Sequence, residues 1–237
     1  MTGAHVADLS QLHAVIPLRG AESGKSRLGG ALDAEERGAL VLGLLEPTLA
    51  VLDAWPQLRR VHLVTADASA AAMVRRARPA LNVVTEPRGA GLNGGLRAAA
   101  AAATAAGATA LLILPADLPL LDVVALDSLL DAADAALAAG DGRPIVVIAP
   151  ADARGGTNAL LLSPADVIEP QFGEASLEAH LRAAAVADAS VQLVIEPALG
   201  FDLDTPDDLE RLDSATLMTI EDLGAALLAA GEPAEVA

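Results

Sequence analysis

The sequence predicts an α/β fold on a mixed, mainly parallel sheet, because short β-branched apolar runs alternate with longer alanine- and leucine-rich stretches of helical period. No internal repeat or long linker interrupts the 237 residues, a length that buries a sizeable core without staples, so one domain is expected over 1–237. Strands are predicted at 13–18, 60–65, 81–85, 110–114, 144–148, 159–162 and 191–195. Between them, Asp33 followed by Glu36 reads as a capping box for a helix running toward Trp55, which Pro47 is expected to kink or restart. Further helices are predicted at 92–106, 122–139 and 176–187, with a short one at 205–212 begun by Pro206. A C-terminal helix and a frayed tail are expected in 214–237, the fraying from Gly231 onward.

Composition narrows the function classes. Hydrophobic residues make up 53% of the chain, yet no uncharged apolar run reaches the roughly 18 to 20 residues of a membrane span. The first ten residues lack a basic segment ahead of an apolar run, so a cytoplasmic enzyme is expected rather than a secreted one. Cysteine is absent, which excludes disulfides, zinc-thiolate sites and thiol nucleophiles. A formal net charge of -17 repels a polyanion, so nucleic acid is not an expected partner, and a small phosphate ligand would need only local cations. Lys25 is the single lysine against fourteen arginines, and its place in a glycine- and serine-rich loop suggests a chemical role beside the plain alternative of a solvated loop.

In open α/β sheets ligands bind beyond the carboxyl ends of the strands, and the polar residues collect there. After the first strand come Arg19, Gly20, Gly24, Lys25, Ser26 and Arg27. This is not a P-loop: Gly20 and Gly24 are one residue too close, and Gly29 and Gly30 would break the helix that should follow. It remains a glycine-rich loop with three cations, suited to cradling a triphosphate. After the fourth strand, Asp117 stands alone among apolar residues. It reads either as a helix cap or, more sharply, as a ligand of a divalent metal bound to nucleotide phosphates. Magnesium usually takes one or two carboxylates, and Asp204, with Asp202 close behind, is the expected second acid. Strand-like alternation points Asp202 and Asp204 the same way, whereas Asp207 and Asp208 fall in a first helical turn as ordinary dipole partners.

Three more segments complete the expected pocket. Gly155, Gly156, Thr157 and Asn158 precede a strand. Phe172, Gly173, Glu174, Ala175 and Ser176 lead into a helix whose first N–H groups and hydroxyl can grip a phosphate or carboxylate, although Ser176 suits a plain N-cap equally well. Core packing is the expected role of Phe172. The turn containing Gly91 and Asn93 can accept a nucleoside, and Asp67 or Glu86 can accept N–H donors of its base.

In order, these segments resemble the phospholactate or phosphoenolpyruvate guanylyltransferase family of deazaflavin coenzyme F(420) biosynthesis. The resemblance spans about 12–213 and rests on Ile16 to Arg19, Lys25 to Leu28, Gly91 to Asn93, Asp117 to Pro119, Gly155 to Asn158, Phe172 to Ser176 with His180, and Asp202 to Pro206. Arg19 departs from the lysine more often found in the family; its charge survives and the point contact of an ammonium does not. The resemblance implies a GT-A-like, Rossmann-related domain, with GTP and Mg2+ as requirements. It also implies that Arg19, Gly20, Lys25, Gly91 and Asn93 serve the nucleotide, that Lys25, Arg27 and Asp117 serve catalysis, and that Thr157, Gly173 and Ser176 bind the acceptor acid. The alanine- and arginine-rich composition resembles members that use phosphoenolpyruvate, ahead of 2-phospholactate or 3-phosphoglycerate. The rivals are transfer to a sugar phosphate or the molybdenum cofactor, and a silent nucleotide-binding homologue. A homodimer is compatible with the family. Since an acceptor phosphate is already an anion, no general base is needed and histidine need not enter the site.

Overall fold

The computed structural model describes residues 7–19, 32, 34–140, 142–152 and 155–231. The expected cap at Asp33, and Gly20, Lys25, Arg27 and the tail beyond Gly231, lie outside the described residues. Strands β1 (Leu12–Pro17), β2 (Leu58–Thr65), β3 (Asn82–Thr85), β4 (Ala110–Ile113), β5 (Ile145–Pro150), β6 (Thr157–Ser163) and β7 (Ser190–Leu193) form one sheet in the order β3-β2-β1-β4-β6-β5-β7. Strand β6 alone among them runs against its neighbours, β4 and β5, and every other pairing is parallel. The sheet is mixed and mainly parallel, as the alternation of elements predicts.

The helices are α1 (Ala34–Ala54), α2 (Ala68–Ala77), α3 (Gly91–Ala105), α4 (Val123–Ala138), α5 (Ser176–Val186), the single-turn α6 (Pro197–Gly200), α7 (Pro206–Arg211) and α8 (Ser214–Gly231). Helix α1 runs through Pro47 without the expected restart. One residue on, Thr48 is buried and its hydroxyl donates to the Leu44 carbonyl oxygen at 3.0 Å. Pro47 brings no N–H to the helix ladder, and burial of the flanking residues Leu44, Leu45, Leu49 and Leu52 keeps the turn in place.

Both sheet faces are buried, and strand parity separates them. Leu12, Ala14, Ile16, Leu112, Val147 and Leu161 face Leu45, Leu49, Trp55 and Leu126, residues of α1 and α4 and the turn after α1. Val15, Leu111, Ile113, Ile148 and Leu160 face α3 and α5 through Leu96, Ala99 and Ala184. The indole N–H of Trp55 donates to Asp127 Oδ1 at 2.8 Å, tying the end of α1 to α4. Helix α8 lies on α1 at glycine contacts. An added Cβ at Gly43 or Gly224 would stand 1.9 Å from the carbonyl oxygen of Ile220 or Ala39, respectively. Ile220 joins Leu40, Leu44, Phe201, Leu203 and Leu212 in a third cluster that backs the segment carrying Asp202 and Asp204.

Candidate active site

The reversed direction of β6 decides where the site lies. Parallel β1, β4 and β5 deliver Arg19, Asp117 and Asp152 to one edge of the sheet at their carboxyl ends, and antiparallel β6 delivers Thr157 to the same edge at its amino end. A cavity of about 760 Å3 opens there, and Arg19, Asp117, Thr157, Gly173, Ser176, Asp202 and Asp204 all line it. Seven of the expected residues, spread over the chain from 19 to 204, are thus brought together.

Asp117 follows β4 on an extended loop, and the N–H of Leu203 donates to its carbonyl oxygen at 3.1 Å. Along that partner segment Phe201 and Leu203 are buried while Asp202 and Asp204 face the cavity, the alternation the sequence predicts. Asn158 steadies the segment from below: its Nδ2 donates to the carbonyl oxygens of Leu199 at 2.9 Å and Gly200 at 3.0 Å. Burial, reinforced by the charges of Asp117 and Asp204, raises the Asp202 carboxyl above the ordinary carboxylate range. Three carboxylates thus face one cavity and concentrate negative charge there. Among the described residues no group of three or more acids or histidines is arranged to hold a metal ion by itself.

Asp208 has a different job, as expected of a first-turn acid. Its Oδ2 accepts from Thr205 N at 2.8 Å, Thr205 Oγ1 at 2.7 Å and Asp204 N at 3.1 Å. Burial opposes its charge, but these hydrogen bonds and nearby Arg211 hold its carboxyl below the ordinary value. Arg211 was not legible as a site residue in the sequence. It lines the cavity, with its guanidinium carbon 4.2 Å from the centre of the Phe201 ring and its nitrogens 3.9 Å from Asp152 and 3.6 Å from Asp208. The only sequence signal for it is its place one turn beyond Asp208 on a helix that starts at the acidic motif.

Also at the cavity, α5 begins at Ser176, and the cap before it is Ala175, a non-glycine residue at φ 53° without a side-chain hydrogen bond. The plain N-cap role considered for Ser176 is therefore not the one it has. It is the first helical residue, 1% exposed, and turned to the cavity. Gly173, at φ 125°, makes the turn before it, a backbone conformation that side chains resist. Phe172 packs against the core of its sheet face and edge-on to His180, with ring centres 5.1 Å apart.

The Gly91 turn meets this wall indirectly. Leu92 lines the cavity, and Asn93 holds the backbone of Phe172 at both ends, its Oδ1 accepting from Phe172 N at 2.8 Å and its Nδ2 donating to Phe172 O at 2.9 Å. Asn93 thus turns its amide to the loop before α5. The expected guanine readers are elsewhere too: Asp67 caps α2 by accepting from Ser69 N and Ala70 N, and neither it nor Glu86 lines the cavity.

Comparison with known proteins places the chain among its relatives. Residues 12–214 match the family model described as guanylyl transferase CofC like. The chain is 40% identical over 202 residues to a phosphoenolpyruvate guanylyltransferase of Rubrobacter xylanophilus, covering 85% of this chain and 93% of the relative. It is 37% identical over 201 residues to a 3-phospho-D-glycerate guanylyltransferase of Phenylobacterium zucineum, covering 82% and 86%. Among solved structures, a Desulfovibrio desulfuricans protein described as a nucleotide-diphospho-sugar transferase superposes with a TM-score of 0.69 at 17% identity, over 92% of this chain and 98% of the other. A 4-diphosphocytidyl-2C-methyl-D-erythritol synthase superposes with a TM-score of 0.59 at 16% identity, over 88% and 97%. At such identities the two structures speak for the fold.

Proposed function

Since the chain belongs to the CofC-like guanylyltransferase family and is a nucleotidyltransferase, we propose that it transfers GMP from GTP to the phosphate of phosphoenolpyruvate, a step of coenzyme F(420) biosynthesis. The observation that carries this reading is the shared cavity. A cavity of about 760 Å3 gathers the basic side chains of Arg19 and Arg211, carboxylates and buried hydroxyls around one space, within the size range of small-molecule sites.

On this reading an oxygen of the acceptor phosphate forms a bond to the α-phosphorus of GTP while the bond from that phosphorus to the β-phosphate oxygen breaks. The products are a diphosphate-linked guanosine and pyrophosphate. The attacking oxygen is already anionic, so no side chain has to remove a proton. Magnesium, held by Asp117 with Asp204 or Asp202, would supply charge neutralisation at the phosphates. Arg19, with Gly20, Lys25 and Arg27 on the loop that follows it, binds the triphosphate and offsets its charge. Gly91 and Asn93, on the turn beside the cavity-lining Leu92, are assigned to the nucleotide, and Asn93 ties that turn to the acceptor loop through the backbone of Phe172. Thr157, Gly173 and Ser176 bind the acceptor and hold its phosphate in line.

Incubation with GTP, magnesium and each of phosphoenolpyruvate, 2-phospholactate and 3-phosphoglycerate, with products read by mass, tests the proposal. A guanosine diphosphate adduct of phosphoenolpyruvate is expected. An adduct formed only with another acid moves the acceptor assignment, and pyrophosphate release with none of the three overturns it.

A further inference from the structure

Every hydrogen-bonding position of His180 is committed. The ring is buried at 0% exposure on α5. The backbone N–H of Gln171 donates to its Nε2 at 2.9 Å, and its Nδ1 lies 3.0 Å from Thr157 Oγ1. A backbone N–H can only donate, so Nε2 must carry a lone pair. In the neutral ring the proton then sits on Nδ1, and Nδ1–H donates to the Thr157 oxygen. Burial pushes the histidine down to about 4, which keeps the ring neutral at physiological pH.

The consequence falls on Thr157. Its oxygen accepts from His180, so its hydroxyl hydrogen needs an acceptor, and among the described residues it has none. Thr157 is 6% exposed and lines the cavity. Ser176, at 1% exposure on the same wall, likewise has no side-chain hydrogen bond among the described residues. Both hydroxyls line the cavity without a protein acceptor among the described residues, so their hydrogens are available to the oxygens of whatever occupies it. The N–H of Leu177 donates to the Gly155 carbonyl oxygen at 3.1 Å, which joins the start of α5 to the loop before Thr157 and keeps the two hydroxyl-bearing elements in register.

We propose that His180 is the positioning residue of the acceptor site: by donating to Thr157 it commits the Thr157 hydroxyl hydrogen to a carboxylate or phosphate oxygen of the acceptor, so that this point of the wall accepts oxyanions and disfavours hydrogen-bond donors. This inference rests on the assignment of Thr157 and Ser176 to the acceptor. It gives a histidine a part in a reaction that needs no histidine base.

Two amide variants separate the two bonds. The amide nitrogen of Asn stands near the place of Nδ1, whereas the amide of Gln reaches the place of Nε2. His180→Asn keeps a donor for Thr157, and His180→Gln keeps an acceptor for Gln171. With phosphoenolpyruvate as the probe, His180→Gln is expected to weaken acceptor binding ~10-fold with GTP binding and kcat little changed, the size of one hydrogen bond to a charged oxygen. His180→Asn is expected to stay close to wild type. In a Thr157→Ala background, His180→Gln should cost nothing further. Equal losses in the Asn and Gln variants, a better Gln than Asn, or additive losses with Thr157→Ala would each overturn the proposal in favour of a simple support for the 171 loop. Imidazole 15N spectra of the wild-type protein read the tautomer without any variant: protonated Nδ1 is expected, and protonated Nε2 overturns the inference. If wild type neither binds nor turns over phosphoenolpyruvate, the acceptor assignment fails, a result distinct from wild-type binding that His180 variants leave unmoved.

Discussion

The backbone N–H of Leu203 donates to the carbonyl oxygen of Asp117 over 3.1 Å, and this bond holds the segment carrying Asp202 and Asp204 against the loop that follows β4. With Asn158 and the cluster behind Phe201 and Leu203, it brings acids 85 residues or more apart in the chain to one cavity.

Asp117→Asn and Asp204→Asn are each expected to lower pyrophosphate release by ~100-fold or more, because charge at the reacting phosphates would go unbalanced. The fold should survive. Removing one of several mutually repelling carboxylates leaves the metal-free melting temperature unchanged or raised. Added magnesium and GTP should raise the melting temperature of wild type and do so much less for either variant. Full turnover in excess chelator would sink the metal assignment, and a harmless Asp204→Asn beside a damaging Asp202→Asn would move it within the motif.

Thr157→Ala and Ser176→Ala should weaken the acceptor while GTP affinity stays nearly constant, since both residues are buried, line the cavity and supply hydroxyls rather than the cations a triphosphate needs. Each lost hydrogen bond to a charged oxygen should cost about 1.5 to 3 kcal/mol, or roughly 10- to 150-fold in affinity. Titration calorimetry with each ligand separately measures this. Loss of GTP binding with the acceptor retained would mean that the two halves of the cavity are assigned the wrong way round.

Acid should destabilise the fold through a buried histidine pair. His13 Nδ1 lies 3.1 Å from His62 Nε2, and Asn82 Nδ2 lies 2.6 Å from His62 Nδ1. Burial, with the charges of His13 and Arg60, pushes His62 down to about 4, and burial with Arg60 lowers His13 as well. The unfolded chain takes up these protons near the ordinary histidine value and the folded one refuses them, so stability is fully present above about pH 6.5 and falls as pH drops toward 4. For one such histidine the loss is of order 3 kcal/mol. Urea denaturation at pH 7.5, 5.5 and 4.5 measures the slope, which His62→Phe should flatten even though it lowers stability at pH 7.5. An unchanged slope would place the acid sensitivity elsewhere.

Gly224→Ala should destabilise despite the roughly 1 kcal/mol of helix propensity that alanine usually adds over glycine. The new methyl would meet the Ala39 carbonyl oxygen, and backbone yields only if α8 moves off α1. An overpacking cost of about 1 to 3 kcal/mol is expected in urea titration. Activity should fall with it, because Ile220 of α8 packs with Phe201 and Leu203 behind the acidic segment. A variant more stable than wild type would show that the two helices have room to spare.

By itself the sequence determined the class of fold, most element positions and the pieces of the site. Alternation of apolar runs is local and specifies strand and helix. Phe201, Asp202, Leu203 and Asp204 show why the acidic motif was readable: two apolar residues must be buried, so two acids must face out. The tertiary structure alone decided which pieces meet. Antiparallel pairing of β6 puts Thr157 at the edge where β1 and β4 end, and no local pattern encodes strand direction. It also reassigned side chains with competing uses. Asp67 caps a helix, Asn93 grips Phe172, Ser176 is not a cap, and Arg211 reaches the cavity. A polar side chain takes whichever partner the fold brings within hydrogen-bonding distance, and that partner lies about 20 residues or more away for His180 and Thr157 and 79 for Asn93 and Phe172.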